Sequence, residues 1–399
     1  MSSFSEKPAA RANVAPPVEA PRTGSLAARV SGGVLLVFMV VGLVGTLVAV
    51  ARERLDLAPH RVTLPAFLDG AAMRDMASAL AEAPLAKEAA TLERQASWLA
   101  IGDLGPQVRQ GCRDWLFLAE ELAPQPNAVL HQEERAQALI RIQEALRQRG
   151  IGLVVAVIPD KSRIEAGHLC GLGRPPVFAG RLDAWVARLK AAQVPVIDTT
   201  PALQALQASG QEPFLRTDTH WNEAGAAAAA QAIAAGVKAL GIEPTPHQAY
   251  AVTASAPQPR AGDLVRLAGI DRLPAALQPS PETDVSSTFA VRSSTVAGKP
   301  VPARSAEDEL FGDNDLPTVA LIGTSFSRNS HFSEFLAAAL QTPVPDFARD
   351  GGNFWGSAGV YFSSDAFRQT PPRLIVWEIP ERTLQLPPPA GERWVLPAR

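Results

Sequence analysis

The stretch Ile151-Gly152-Leu153-Val154-Val155-Ala156-Val157-Ile158-Pro159 decides how this chain folds. It is apolar without alternation over the length of one strand, and Pro159 stops it. A strand with no polar side has to be covered on both faces, as in the interior of a parallel sheet. Upstream, residues 131–149 read as a charged helix ending at Gly150, a residue suited to the left-handed position after a helix. Downstream, a helix is predicted around residues 180–192 and a strand at 194–197. Asn222 stands where it can cap a long alanine-rich helix running to about residue 240. A strand at 318–322, a helix around 332–340 and a strand at 374–378 complete the series. Buried strands alternating with helices predict an α/β layer fold around a mostly parallel sheet.

On such sheets ligands bind beyond the carboxyl ends of the strands. Ser325, in Gly323-Thr324-Ser325-Phe326-Ser327, lies just past one strand end, and Asp218-Thr219-His220-Trp221-Asn222 lies in the loop before the alanine-rich helix. Each segment alone has a plain reading: a serine capping a turn, or an Asp-x-His in an ordinary loop. Each supplies what the other lacks, because a serine hydroxyl is a poor nucleophile near neutral pH without an imidazole base. Together they make a candidate Ser-His-Asp triad of Ser325, His220 and Asp218. The Gly-x-Ser-x-Gly elbow is not matched, since Ser327 replaces the second glycine, and this counts against an α/β-hydrolase.

The chain has 399 residues, 47% of them apolar, enough for one large core. A net charge of −3 offers no basic field for nucleic acid. Cys112 and Cys170 lack metal-ligand spacing and read either as free core thiols or as one disulfide. Residues 30–51 carry no charge and are long enough to cross a bilayer as one helix. They are preceded by a Pro/Ala/Ser-rich tail, residues 1–29, that reads as disordered. The apolar run exceeds a usual signal peptide, which favours an uncleaved single-pass anchor. Arg11, Arg22 and Arg29 before it are balanced by Arg52, Arg54 and Arg61 after it, so charge does not set its orientation. Residues 52–105 read as helical and membrane-proximal, residues 106–384 as the catalytic domain, and residues 385–399 as a Pro-rich tail. The Pro/Ser/Ala-rich stretch 244–315 reads as an irregular insertion.

Several markers in order resemble one family. They are Gly111 to Leu118 with Trp115-Leu116-Phe117, then Pro159-Asp160-Lys161, Asp218-Thr219-His220-Trp221, Gly323-Thr324-Ser325, and Trp377-Glu378 with Glu381-Arg382. The pattern is similar to the SGNH-hydrolase-like domain of periplasmic polysaccharide O-acetyltransferases, the group that includes AlgJ and AlgX. In layout it is more like the AlgJ branch, with an N-terminal anchor. The resemblance implies a three-layer, flavodoxin-like α/β domain with a parallel sheet, preceded by one transmembrane helix. It departs from the broad SGNH pattern in order: acid and base precede the serine, and Thr324 stands where an Asp is usual.

Carried over, the resemblance makes Ser325 the nucleophile, His220 the base and acid, and Asp218 the residue orienting His220. Asn353 and Gly352 are candidates for the oxyanion site, with a plain glycine turn as the other reading. Arg328 reads as a contact to an acidic sugar or as an exposed surface residue. Trp221 and Trp355 read as sugar-stacking walls or as core. Lys161 reads as a structural ion-pair partner in preference to a catalyst. No cofactor or metal is expected. The implied partners are a polysaccharide acceptor, the membrane and a multi-pass membrane-bound O-acyltransferase supplying acetyl groups. The implied location is the bacterial inner membrane, with the catalytic domain in the periplasm. An acetylesterase using the same triad and a non-catalytic assembly protein are the alternatives, and the glycan, alginate or another, is open.

Overall fold

The strand centred on Val155 lies in the middle of a four-stranded sheet whose residues alternate between two separate cores. The structure is a computed structural model, and it describes residues 26–52, 55–57, 63–292, 295–296, 299–300, 316–389, 394 and 396. Of the tail read at residues 1–29, residues 1–25 lie outside the described residues, as do Arg54 and Arg61, whereas residues 26–29 open the first helix. The chain divides into two units, residues 1–93 and 94–399.

In the first unit, helix Leu26–Ala51 has a mean hydropathy of 2.9 over its most apolar window, with almost all of its side chains exposed. Its 26 residues at 1.5 Å rise exceed the roughly 30 Å of a bilayer core. Helix Ala71–Ala81 follows, and Pro84–Ile101 leads into the second unit.

In the second unit the central sheet consists of β1 (Gly152–Ile158), β2 (Val196–Asp198), β3 (Val319–Ile322) and β4 (Leu374–Pro380). Their spatial order is β3-β4-β1-β2, and all neighbours are parallel. Val376 pairs with Val154 and Val155 with Val196, so β1 and β4 are both interior strands. Side chains on successive strand residues point to opposite faces. Leu153, Val155 and Val157 therefore join one core, with Ile375, Trp377, Leu139, Leu189 and Phe362. Val154, Ala156 and Ile158 join the other, with Val376, Leu203, Ile233, Phe326 and Leu336. Helices Ala128–Arg147, Arg181–Ala191 and Gly356–Phe362 cover the first face, while Glu223–Ala239 and Phe332–Leu340 cover the second. Burying each such aliphatic or aromatic side chain contributes roughly 1.5–3 kcal/mol. This is the three-layer α/β architecture with a parallel sheet that the apolar run predicts.

Two features differ from the sequence reading. The first helix of this unit starts at Ala128, three residues early, because Asn127 adopts the left-handed φ of 58° that turns the chain into it. The stretch 244–315 is not irregular where it is described. Tyr250–Ala254 pairs antiparallel with Ser287–Val291, Gln258–Arg260 pairs with Glu282–Asp284, and Asp263–Leu267 is a short helix. Strands of three to five residues carry too little periodicity to stand out among prolines. Residues 293–294, 297–298 and 301–315 lie outside the described residues.

Candidate active site

Residues 213–222 form a tight hairpin beyond the carboxyl end of the sheet. Phe214 bridges Trp221, the Leu215 amide donates to the His220 carbonyl at 3.1 Å, and the Asn222 amide donates to that of Pro213 at 3.0 Å. Asp218, Thr219 and His220 sit at its tip. The helix that follows comes so close that a Cβ on Gly225 would lie 2.2 Å from the Pro213 carbonyl oxygen, so only glycine fits. Asn222 caps that helix, its Oδ1 accepting from the Gly225 amide at 2.9 Å.

This hairpin meets the end of β3. His220 Nε2 is 2.7 Å from Ser325 Oγ, and His220 Nδ1 is 2.6 Å from Asp218 Oδ1. An ionised carboxylate only accepts, so Nδ1 is the donor and Nε2 is left to accept the serine hydroxyl proton. Asp218 and His220 are buried, and Ser325 is partly exposed. Asp218 Oδ1 also accepts from the His220 amide at 3.0 Å, and Oδ2 accepts from the Asp263 amide at 3.1 Å. Burial works to raise the Asp218 pKa, but the His220 hydrogen bonds and the nearby Arg260 outweigh it and hold it below the usual carboxylate range.

The insertion supplies a second carboxylate. Asp263 accepts from the Thr219 amide at 2.7 Å and the Thr219 hydroxyl at 2.6 Å, and its Oδ2 is 3.7 Å from His220 Nδ1. Burial, then the Asp218 charge beside it, raises its pKa. Nothing in a Pro-rich stretch marks Asp263 from sequence. Its neighbour Gly262 carries the nearest signal, because a Cβ there would lie 1.9 Å from the Thr217 carbonyl oxygen.

Below the serine lies Glu378, fully buried on β4. It accepts from the Thr324 amide at 2.6 Å, the Thr324 hydroxyl at 3.0 Å and the Ser327 hydroxyl at 3.0 Å. Burial raises its pKa against these three donors. Asn329 Nδ2 holds the Ser325 carbonyl at 2.8 Å, and Arg260 donates to Asn329 Oδ1 at 3.1 Å. Sequence reading singled out Glu378 as a marker but gave it no work, and missed Asn329 and Arg260.

Lys161 is fully buried, and its Nζ donates to the carbonyls of Leu116, Arg216 and Asp218 at 2.6, 2.8 and 2.9 Å. It thus ties the hairpin, at Arg216 and Asp218, to the strand carrying Leu116, in place of the ion pair expected. Burial lowers its pKa to about 8. At the ends of β1 and β4, Asp160 and Glu381 are bridged by Arg174 and Arg181, with Arg163 also on Glu381. Cys112 and Cys170 form a disulfide between the opening segment and the loop after Lys161.

Five candidates lie outside the relay. Trp221 is wholly buried, with its ring 5.0 Å from that of Phe326 and 4.8 Å from that of Phe332, so it packs the hairpin onto the helices around Ser325 and cannot be a sugar wall. Trp355 is likewise core, beside Phe362 and Trp377. The Gly352 amide is taken by the Arg349 carbonyl at 3.1 Å, and Asn353 is an exposed turn residue with φ 47°. The glycines there serve a tight turn. Arg328 is mostly exposed, 3.6 Å from Asp350.

A family model described as the SGNH hydrolase-like domain of the acetyltransferase AlgX matches residues 108–381. The chain belongs to that family. Within it, the chain is 35% identical over 286 residues to the probable alginate O-acetylase AlgJ of Pseudomonas putida, spanning 70% of this chain and 71% of that protein. It is 34% identical over 285 residues to the Pseudomonas aeruginosa protein of the same name, spanning 70% and 71%. The solved O-acetyltransferase domain of Pseudomonas putida AlgJ superposes with a TM-score of 0.60 at 30% identity, covering 72% of this chain and 95% of that one. The SGNH-like fold and the acetyltransferase family expected from the ordered markers are therefore both found.

Proposed function

We propose that this protein is a membrane-anchored periplasmic O-acetyltransferase that modifies an exported polysaccharide through an acetyl-Ser325 intermediate. The observation that carries this reading is the continuous relay from Asp218 Oδ1 to His220 Nδ1 at 2.6 Å and from His220 Nε2 to Ser325 Oγ at 2.7 Å. Its relatives are named as alginate O-acetylases, which supports a glycan acceptor.

In the first step Ser325 Oγ attacks the carbonyl carbon of an acetyl donor as its proton passes to His220 Nε2. Asp218 stabilises the imidazolium, and the leaving group departs with that proton. In the second step a sugar hydroxyl gives its proton to His220 and attacks the acetyl-serine. Ser325 recovers the proton, and the acetyl ester is now on the sugar. Water in place of the sugar would give acetate, so the second step decides between transferase and esterase.

Helix Leu26–Ala51 would anchor the domain beside a multi-pass membrane O-acyltransferase that hands acetyl groups across the bilayer. The Cys112–Cys170 disulfide favours an oxidising compartment, in keeping with a periplasmic domain. Ser325→Ala is expected to abolish O-acetyl groups on the exported polymer at unchanged protein level. A serine-directed probe should label Ser325 only when His220 is present. Normal acetylation in the Ser325 variant would sink the reading, and acetate release without transfer would make the protein an esterase.

A further inference from the structure

Next to the nucleophile is a cavity of about 470 Å³, within the size range of small-ligand sites. No triad residue lines it, but two residues that touch the triad do. Asn329, which holds the Ser325 carbonyl, lines it, and so does Arg260, 3.9 Å from Asp218. The same wall carries a second imidazole set on a carboxylate: His331 Nδ1 is 2.5 Å from Glu223 Oε1.

Glu223 is buried and also accepts from the Ser287 amide at 2.8 Å and the Ser287 hydroxyl at 2.5 Å. With the carboxylate acting as acceptor, Nδ1 of His331 donates to it and the neutral ring keeps a lone pair on Nε2. Among the described residues Nε2 has no protein partner, and 36% of the side chain is exposed. The backbone is bent to put the ring there. Ser330 and His331 have φ of 52° and 53°, a region that non-glycine residues seldom enter, and the Ser330 hydroxyl is tied to the Trp221 carbonyl at 2.8 Å. The segment from Asp218 to Glu223 thus presents one carboxylate to each imidazole, Asp218 to His220 and Glu223 to His331. Arg260 and Arg328 share the cavity lining with Glu223, Asp284, Glu334 and Asp346, a mixture of donors and acceptors suited to hydroxyl groups.

We propose that this cavity is the acceptor subsite and that His331, fixed by Glu223, accepts a hydrogen bond from a hydroxyl of a pyranose ring in the glycan being acetylated. The proposal rests on the acetyltransferase reading. Its test uses the full chain in detergent, carrying Ser325→Ala to prevent turnover. Binding of two hexasaccharides, de-acetylated alginate and cellohexaose, is measured by calorimetry. At least one is expected to bind, and adding His331→Gln should weaken that binding tenfold or more at an unchanged melting temperature. In the protein with His331 intact, the same sugar should shift the ring resonance of His331, a readout that needs no second variant. Binding of neither sugar, or equal affinity with an unmoved resonance, overturns the proposal. Glycan binding that depends on His331 in a protein whose wild type transfers no acetyl group overturns the acetyltransferase reading alone.

Discussion

Glu378 Oε2 lies 2.6 Å from the backbone nitrogen of Thr324, so a fully buried carboxylate holds the turn that presents Ser325. The contact is close enough that a Cβ on Gly323 would meet Glu378 Oε2 at 2.5 Å. Three donors converge on Oε2, the Thr324 amide and the Thr324 and Ser327 hydroxyls, and the Thr324 hydroxyl also lies 3.1 Å from Oε1.

Glu378→Gln removes the negative charge these donors share and puts an NH₂ either among them, in place of Oε2, or beside the Thr324 hydroxyl, in place of Oε1. The turn should then shift, and misplacing a nucleophile by an ångström can cost about a hundredfold in rate. The burst of product from an activated acetyl ester is expected to slow about 10- to 100-fold, with KM changed less than about threefold. A loss confined to KM would show that Glu378 does not position the serine.

Asp218 makes stability depend on acid pH. Its pKa in the folded state lies below the ordinary value of 3.8, so its stabilising contribution is complete above that value and is lost as pH falls through the lower one. Glu381 acts in the same direction: burial opposes ionisation, yet Arg163, Arg174 and Arg181 hold it down to about 2. Urea unfolding between about pH 5 and pH 2 should show wild type losing stability faster than Asp218→Asn. Parallel curves would contradict this. The same variant should lose about 10³- to 10⁴-fold in activity, since an amide no longer fixes the His220 tautomer.

Lys161→Met removes the donor for three carbonyls, those of Leu116, Arg216 and Asp218. The Arg216 carbonyl keeps the Leu116 amide at 2.9 Å, and an unsatisfied buried acceptor costs about 1–3 kcal/mol, so with the other two orphaned a loss of at least about 2 kcal/mol is expected in denaturant unfolding. A loss under about 1 kcal/mol would mean that water or a rearranged loop replaces the ammonium.

The Cys112–Cys170 disulfide closes a loop of sequence separation 58. The chain-entropy relation gives about 4 kcal/mol for a loop of that size. The double serine variant and the reduced wild type should fall by similar amounts, within about 2–5 kcal/mol. No change on reduction would show that the loop is already ordered without the bond.

The parts of the site legible in sequence are those written as short local patterns. Asp218 and His220 are two residues apart, Ser325 follows an apolar strand, and Asn222 precedes its helix. Asp263, Arg260 and the contacts of Glu378 were not read because each acts across a long stretch of chain, and Asn329, four residues after Ser325, was missed because a lone Asn carries no pattern. Asp263 reaches Thr219 from 44 residues away, and Glu378 reaches Thr324 from 54. Of the two readings of Trp221, sugar wall or core, burial decides for core.

The sequence by itself determined the layered α/β fold, because an apolar run without alternation can only be buried on both faces. It also determined the membrane-length helix and the residue types able to form a triad. Tertiary structure alone decided which groups meet: that Ser325 Oγ lies within hydrogen-bond reach of His220, that buried Asp218 braces His220 and buried Glu378 the turn at Ser325, and that His331 lines the neighbouring cavity. The physical reason is that patterning reports solvent exposure along the chain, whereas hydrogen-bond geometry depends on distances of a few tenths of an ångström between segments that only packing brings together.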